Sequence, residues 1–170
     1  KLGAKPEELN ITNPELIESI HAKYAAAGSR IVNANTFGAS AHKLAGSAYT
    51  LEQIIAAGIE NCKRACAPYG ALTALDVGPL GELLEPSGTL AFEDAVAEYA
   101  RIVKAGEAAG ADLIFFETYT DLYELKAALL AAKENTHLPI LASMSFEAGG
   151  RTFTGCTVES FAVTARGLWV

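Results

Sequence analysis

From Asp112 to Asp121 the chain reads DLIFFETYTD, an apolar run that ends in a carboxylate, Glu117. A short continuous apolar run suits a strand buried on both faces, and such strands belong to parallel sheets flanked by helices. Three other runs end in the same manner. IVNANTFGAS supplies Asn33, Asn35, Thr36 and Ser40, LTALDVGP supplies Asp76, and ILASMSF supplies Ser143 and Ser145. Ligands of parallel α/β folds bind at the carboxyl ends of the strands, so these side chains are the candidates for contact. A convergent set of small hydrogen-bonding groups with two carboxylates, Asp76 and Glu117, suits a small polar ligand that carries an ammonium group. Asn, Asp, Ser and Thr also open loops and cap helices, which accounts equally well for any one of them. Glu117 stands apart, because glutamate is a poor capping residue and burial beside Phe115 and Phe116 is costly without a partner.

The elements that must hold these residues alternate along the chain. Asn13 and Pro14 mark a helix start, Leu16, Ile20, Tyr24 and Ala27 form an apolar stripe, and Gly28 offers a left-handed cap. The spacing predicts a helix over 14–27 and a strand over 31–35. Thr50 and Gln53 form a capping-box pair, and Leu51, Ile55, Ile59, Cys62 and Cys66 recur at helical spacing up to Pro68 and Gly70. A strand over 72–77 follows, then a helix with Phe92, Val96, Tyr99 and Val103 on one face, closing at Gly110. Next come a strand over 113–116, a helix with Leu122, Leu125 and Leu129 on one stripe, a strand over 140–144, and a helix from near Val158. Repeated βα units of this length require a parallel sheet with right-handed crossovers. Either an open doubly wound sheet or part of a (β/α)8 barrel satisfies that pattern, and four strands are half of what a barrel needs.

The remaining chemistry-bearing residues carry weaker signals. Cys62 and Cys66 lie four apart and could place two sulfurs on one metal, but they sit on an apolar stripe with no His or third Cys nearby, so they are predicted to pack in the core. Cys156 is a lone thiol near a helix start, where a lowered thiol pKa is possible. The GG of FEAGGRTFTG fits a short hairpin turn, or backbone amides open to an anion, with the hairpin favoured. His21, His42 and His137 end no strand and are predicted at surface or helix-flanking positions. No G-x-S-x-G, Walker A or G-x-G-x-x-G pattern occurs, which argues against α/β-hydrolase, P-loop and Rossmann chemistry.

In bulk the chain has 170 residues, 51% hydrophobic and 19% charged, enough to bury a core as one domain. A net charge of -7, with 13 basic residues scattered singly, argues against nucleic-acid and anionic-membrane partners. No run reaches the roughly 18 apolar residues of a membrane span, and KLGAKPEELN lacks the form of a secretory signal. Three cysteines form no even-numbered disulfide framework, which fits a reducing, cytoplasmic compartment.

The combination ELNITNPELI, NANTFGAS, ALDVGPLGELLEP, DLIFFETYTDLYELKAALLAAKE and SMSFEAGGRTFTG resembles the homocysteine-binding domain of the cobalamin-dependent methionine synthases, in the homocysteine S-methyltransferase family. The resemblance implies an α/β fold that is a partial (β/α)8 TIM barrel of about four central βα units, with the first strand and the last strands missing. Residues 1–170 would be a single incomplete homocysteine-binding domain. The activity implied for the parent protein is transfer of a methyl group to homocysteine, giving methionine. Zinc held by cysteine thiolates would activate the homocysteine sulfur as a thiolate, and methylcobalamin on another module would donate the methyl group and be recharged at a folate-binding module. By similarity Glu117 would hold the substrate ammonium, with Asn35 and Thr36 placing it. The predicted substrate-binding set is Asn35, Thr36, Asp76, Glu117 and Ser145, with no residue assigned to catalysis or to metal. The family's G-x-N-C and G-G-C-C zinc patterns and its D-G-x-x-G-T motif are absent, so zinc is not transferred to Cys62, Cys66 or Cys156, and the chain alone is expected to be inactive. Two rival readings are a noncatalytic barrel fragment or binding module, and an unrelated barrel enzyme with Glu117 and Asp76 as acid and base.

Overall fold

The computed structural model describes residues 5–168 and 170; the opening KLGA and Trp169 of the TARGLWV segment lie outside the described residues. A 3-10 turn, Pro6–Glu8, and a short helix α1, Leu9–Thr12, lead into α2, Pro14–Ala26. The Asn13 side chain accepts the Leu16 N–H at 3.3 Å, and Pro14 needs no partner for an N–H it lacks. After β1, Ile31–Asn33, helix α3, Leu51–Cys66, starts on a reciprocal capping box. There the Gln53 N–H meets the Thr50 hydroxyl at 3.3 Å, and the Thr50 N–H meets the Gln53 side chain at 2.9 Å. Next come β2, Leu72–Val77, α4, Phe92–Ala108, and β3, Leu113–Tyr119. The chain continues through α5, Leu122–Asn135, β4, Ile140–Met144, and α6, Val158–Gly167. Asp121 and Thr157 cap the last two helices through their side chains.

The four strands form one parallel sheet in the order β1-β2-β3-β4. Val32 lies beside Thr73, Asp76 beside Phe115, and Phe115 beside Leu141. Strand partners in a parallel ladder point to the same face, which separates two sets of residues. One set, with Leu75, Ile114 and Phe116, packs against Ile55 and Ile59 of α3, Val103 of α4 and Leu129 of α5, all fully buried. The other set, with Ala74, Asp76 and Phe115, faces away from the helices, toward the space a closed barrel would enclose. Cys62 and Cys66 lie in the helix-side core as predicted.

Three differences from the sequence expectations have physical causes. The first strand stops at Asn33, because the Asn35 backbone and side chain bond to Asn10 and leave the ladder. The third strand runs on to Tyr119, so Glu117 lies inside it, not beyond its end. On α2 the buried residues are Ile17, His21 and Ala25, whereas Leu16, Ile20 and Tyr24 are exposed. That helix packs on α3 with the first face and leaves the predicted stripe beside the open edge of β1. His21, expected at a surface position, is 5% exposed. The FEAGGRTFTG segment turns back on itself, with the Glu147 N–H donating to the Arg151 carbonyl at 2.8 Å, and Gly149 and Gly150 both take positive φ.

Candidate functional site

A groove of about 550 Å³ opens along β1 and across the carboxyl ends of β1 to β3. Asn33, Asn35, Phe37, Asp76 and Glu117 line it, together with His21 from α2. A larger hollow of about 780 Å³ lies between the β2–α4 loop and helices α5 and α6, bordered by Pro86, Asp121, Tyr123 and Cys156. The smaller groove has the stronger chemical claim, because the two buried side-chain polar atoms without a hydrogen-bond partner among the described residues, Asp76 Oδ1 and His21 Nε2, belong to residues that line it. Buried polar atoms are rarely left unpaired, and a ligand is one ordinary reason.

Asp76 is 6% exposed. Burial pushes its carboxyl up to about 8, helped by the charge of Glu117 and a hydrogen bond with it, and opposed by the Asn33 side chain. The Asp76 carboxyl therefore keeps its proton near neutral pH, because burial and the neighbouring Glu117 both disfavour its charged form. A bound ammonium would reverse that preference by supplying the positive charge that two ionised carboxylates lack.

Thr36 and Asn35 build the frame of the groove. The Thr36 hydroxyl donates to the Asp76 carbonyl at 2.8 Å and accepts the Asp76 N–H at 3.1 Å, so it fixes the backbone that carries the carboxylate. The Asn35 amide donates to the Pro6 carbonyl at 3.0 Å and to Asn10 Oδ1 at 2.9 Å. Ser145 does not line the groove, and its backbone N–H donates to the Tyr119 carbonyl at 2.8 Å. The fold thus brings Asn35, Asp76 and Glu117 to one surface, with Thr36 behind Asp76 and Ser145 beyond it.

Several participants carried no signal in the sequence. Phe37 closes one wall, and its carbonyl accepts the Gly78 N–H at 3.1 Å. A Cβ on Gly78 would come within 2.7 Å of the Phe37 ring, so only glycine lets the two loops approach. Glu124 is buried on α5 and accepts the Leu80 N–H at 2.7 Å and the Tyr99 hydroxyl at 2.9 Å. Burial pushes its carboxyl up, and those two hydrogen bonds oppose the shift. Such a residue reads in sequence as one more polar position of an amphipathic helix.

Among the described residues, no group of three or more His, Cys, Asp or Glu side chains is arranged to hold a metal ion. The Cys62 and Cys66 sulfurs are 3.8 Å apart inside the core, and burial pushes the Cys62 thiol up to about 12, the reverse of what a thiolate ligand needs. Burial also raises Cys156. The cysteines of this chain do not fit a zinc site.

Over residues 4–168 the sequence matches the family described as homocysteine S-methyltransferase. The chain belongs to that family. Homocysteine S-methyltransferase membership replaces the reading as an unrelated barrel enzyme. Two curated relatives are methionine synthases from Mycobacterium tuberculosis, 30% identical over 94% of this chain, and Mycobacterium leprae, 29% identical over 89%. The chain spans 14% of the length of each. Among solved structures, Escherichia coli homocysteine methyltransferase MmuM in its oxidized form superposes with a TM-score of 0.87 at 20% identity, covering 99% of this chain and 64% of that one. The metallated form gives 0.84 at 21% identity, covering 95% and 62%. These likenesses show the fold, and the four-stranded sheet is part of that larger barrel.

Proposed function

We propose that this chain is the central, substrate-holding part of a homocysteine S-methyltransferase of the methionine synthase type, a single incomplete homocysteine-binding domain whose groove takes the amino-acid end of homocysteine. The observation that carries this is the Asp76–Glu117 pair, two carboxyls toward the carboxyl ends of β2 and β3 that line one groove, with one buried oxygen unpartnered. The rest of the lining, the Asn33 and Asn35 amides, the His21 imidazole, the Ser29 hydroxyl and apolar side chains, includes no lysine or arginine, so the group that completes such a pair is a small cation, and an α-ammonium is one. Glu117 takes the ammonium, Asp76 gives up its proton to share it, and Asn33 steadies Asp76. Thr36 and Asn35 act by holding the backbone beneath.

The other half of the reaction, activation of the sulfur and delivery of a methyl group, lies outside these residues. The zinc implied by the sequence resemblance has no fitting ligand set here, so no step is assigned to it. The DVGPLGELLEP and ETYTD stretches favour methylcobalamin as donor, carried with a folate-binding module elsewhere in the parent protein. The three free thiols favour a reducing, cytoplasmic setting, and no described helix is long and apolar enough to cross a membrane.

Calorimetric titration with L-homocysteine tests the reading. Glu117→Gln removes a charge-assisted hydrogen bond and should weaken binding by about 10- to 100-fold. Equal affinity in wild type and Glu117→Gln would remove the groove as the ammonium site.

A further inference from the structure

The third strand contains one residue too many for its partner. From Phe116, beside Ala142, to Tyr119, beside Met144, β3 advances three positions while β4 advances two. The surplus is a β-bulge at Glu117–Thr118. Thr118 has φ 58 and is the only non-glycine residue with positive φ among the described residues. A β-branched side chain disfavours that conformation, and backbone of this kind persists only where its surroundings impose it.

What imposes it is visible on both sides. The Thr118 N–H, turned out of the ladder, donates to the Ser143 hydroxyl of β4 at 3.0 Å. One residue later Tyr119 is fully buried on the helix side, its ring about 6 Å from those of Tyr99 and Phe116 (6.2 and 6.1 Å), and its hydroxyl donates to the Gly78 carbonyl at 3.3 Å. In a regular strand, Glu117 and Tyr119 would point to the same face. The extra residue lets the tyrosine anchor in the core while the carboxylate two positions before it faces the groove. Through Gly78 the same tyrosine also touches the strand end that carries Asp76.

We propose that Thr118 and Ser143 are positioning residues: the left-handed bulge at Thr118, held by the Ser143 hydroxyl, sets the Glu117 carboxylate against Asp76. This rests on the ammonium-site reading for its purpose, although the geometry stands apart from any ligand. Neither side chain needs to touch substrate, and both act through Glu117.

The test uses the protein with Ser143→Ala, Ser143→Thr and the double variant Ser143→Ala/Thr118→Gly, each read by NMR titration of its side-chain carboxyls and by L-homocysteine calorimetry. Groups facing Asp76 across the groove are Glu117 of β3, Asn33 of β1 and His21 of α2, so the His21 titration is followed as a control. Loss of the hydroxyl should let Glu117 drift from Asp76, lowering the Asp76 midpoint by about one pH unit and weakening homocysteine binding about tenfold. Ser143→Thr keeps a hydroxyl and should restore both. The double variant should restore them as well, because glycine holds positive φ without the cap. It also carries the test if Ser143→Ala alone does not fold, since its Asp76 midpoint must then match wild type. An Asp76 titration and an affinity unchanged in Ser143→Ala would overturn the proposal. A lowered midpoint in Ser143→Ala with no homocysteine binding by any form would uphold the positioning role and overturn the ammonium site instead.

Discussion

Asp76 and His21 face one groove and respond to pH in opposite senses. The folded-state pKa of Asp76 lies near 8, above its unfolded value of about 3.9. Between those values the folded state binds a proton that the unfolded state does not, so this residue makes stability fall as pH rises from about 4 to about 8. His21 is lowered from 6.5 by burial, so the unfolded state binds the extra proton and stability is lost as pH falls below about 6.5. Asp76→Asn should flatten the alkaline limb and leave the acid limb in place, as read by urea unfolding at about pH 5, 7 and 9. The same proton should appear in binding. If an ammonium ligand ionises Asp76, calorimetry near pH 7 in buffers of different ionisation enthalpy should detect release of close to one proton per site, and Asp76→Asn should abolish it. Heat that does not vary with buffer would refute this. Glu117 was legible in sequence because a carboxylate behind two Phe residues is anomalous. His21 was not, since a histidine in a helix gives no sign of which face will be covered.

Among the elements, the β2–α4 loop is held in place from α5 and β3. Glu124 accepts the Leu80 N–H, Tyr119 donates to the Gly78 carbonyl, and the Ser40 hydroxyl donates to the Leu80 carbonyl at 3.3 Å. Glu124→Ala strands a buried N–H and a tyrosine hydroxyl and should destabilise the fold by about 2–4 kcal/mol. Glu124→Gln, which keeps an acceptor, should cost less than half of that. Denaturant midpoints give the ranking, and amide exchange at Leu80 should accelerate in the alanine variant before global unfolding does. Thr50→Ala, at the capping box, should cost about 1 kcal/mol and leave homocysteine binding unchanged. Local signals made the capping box readable from sequence, because donor and acceptor lie three residues apart. The partners of Glu124 lie 25 and 44 residues away, and nothing in a helical pattern announces such bonds.

For the molecule as a whole, apolar side chains remain exposed beside both sheet edges. Leu16, Ile20, Tyr24 and Ile31 lie at or beside β1, and Leu141 is exposed on β4. Open parallel edges with apolar flanks promote association. Sedimentation of this chain by itself should therefore show concentration-dependent self-association. Tyr24 is 61% exposed, so Tyr24→Lys should reduce that association while changing stability by no more than about 0.5 kcal/mol. A monodisperse monomer at all concentrations would contradict the argument.

Whereas the turn at Pro6–Glu8 and the short α1 carried no such signal, the sequence by itself determined the order and type of the strands and of the helices from α2 onward, the parallel sheet, and the polar residues gathered toward the strand ends. Those are consequences of periodicity, capping and turn chemistry, all expressed within a few residues. Tertiary structure decided which of the polar residues face one another. Thr36 turned behind Asp76 because its hydroxyl bonds to that backbone from 40 residues away, and Asn35 turned to Asn10 in the same way. The bulge at Thr118 was decided there too, since an extra residue in a strand becomes visible only against the strand beside it. Side-chain type and spacing are local properties, whereas facing direction and pairing depend on the neighbours that folding brings alongside.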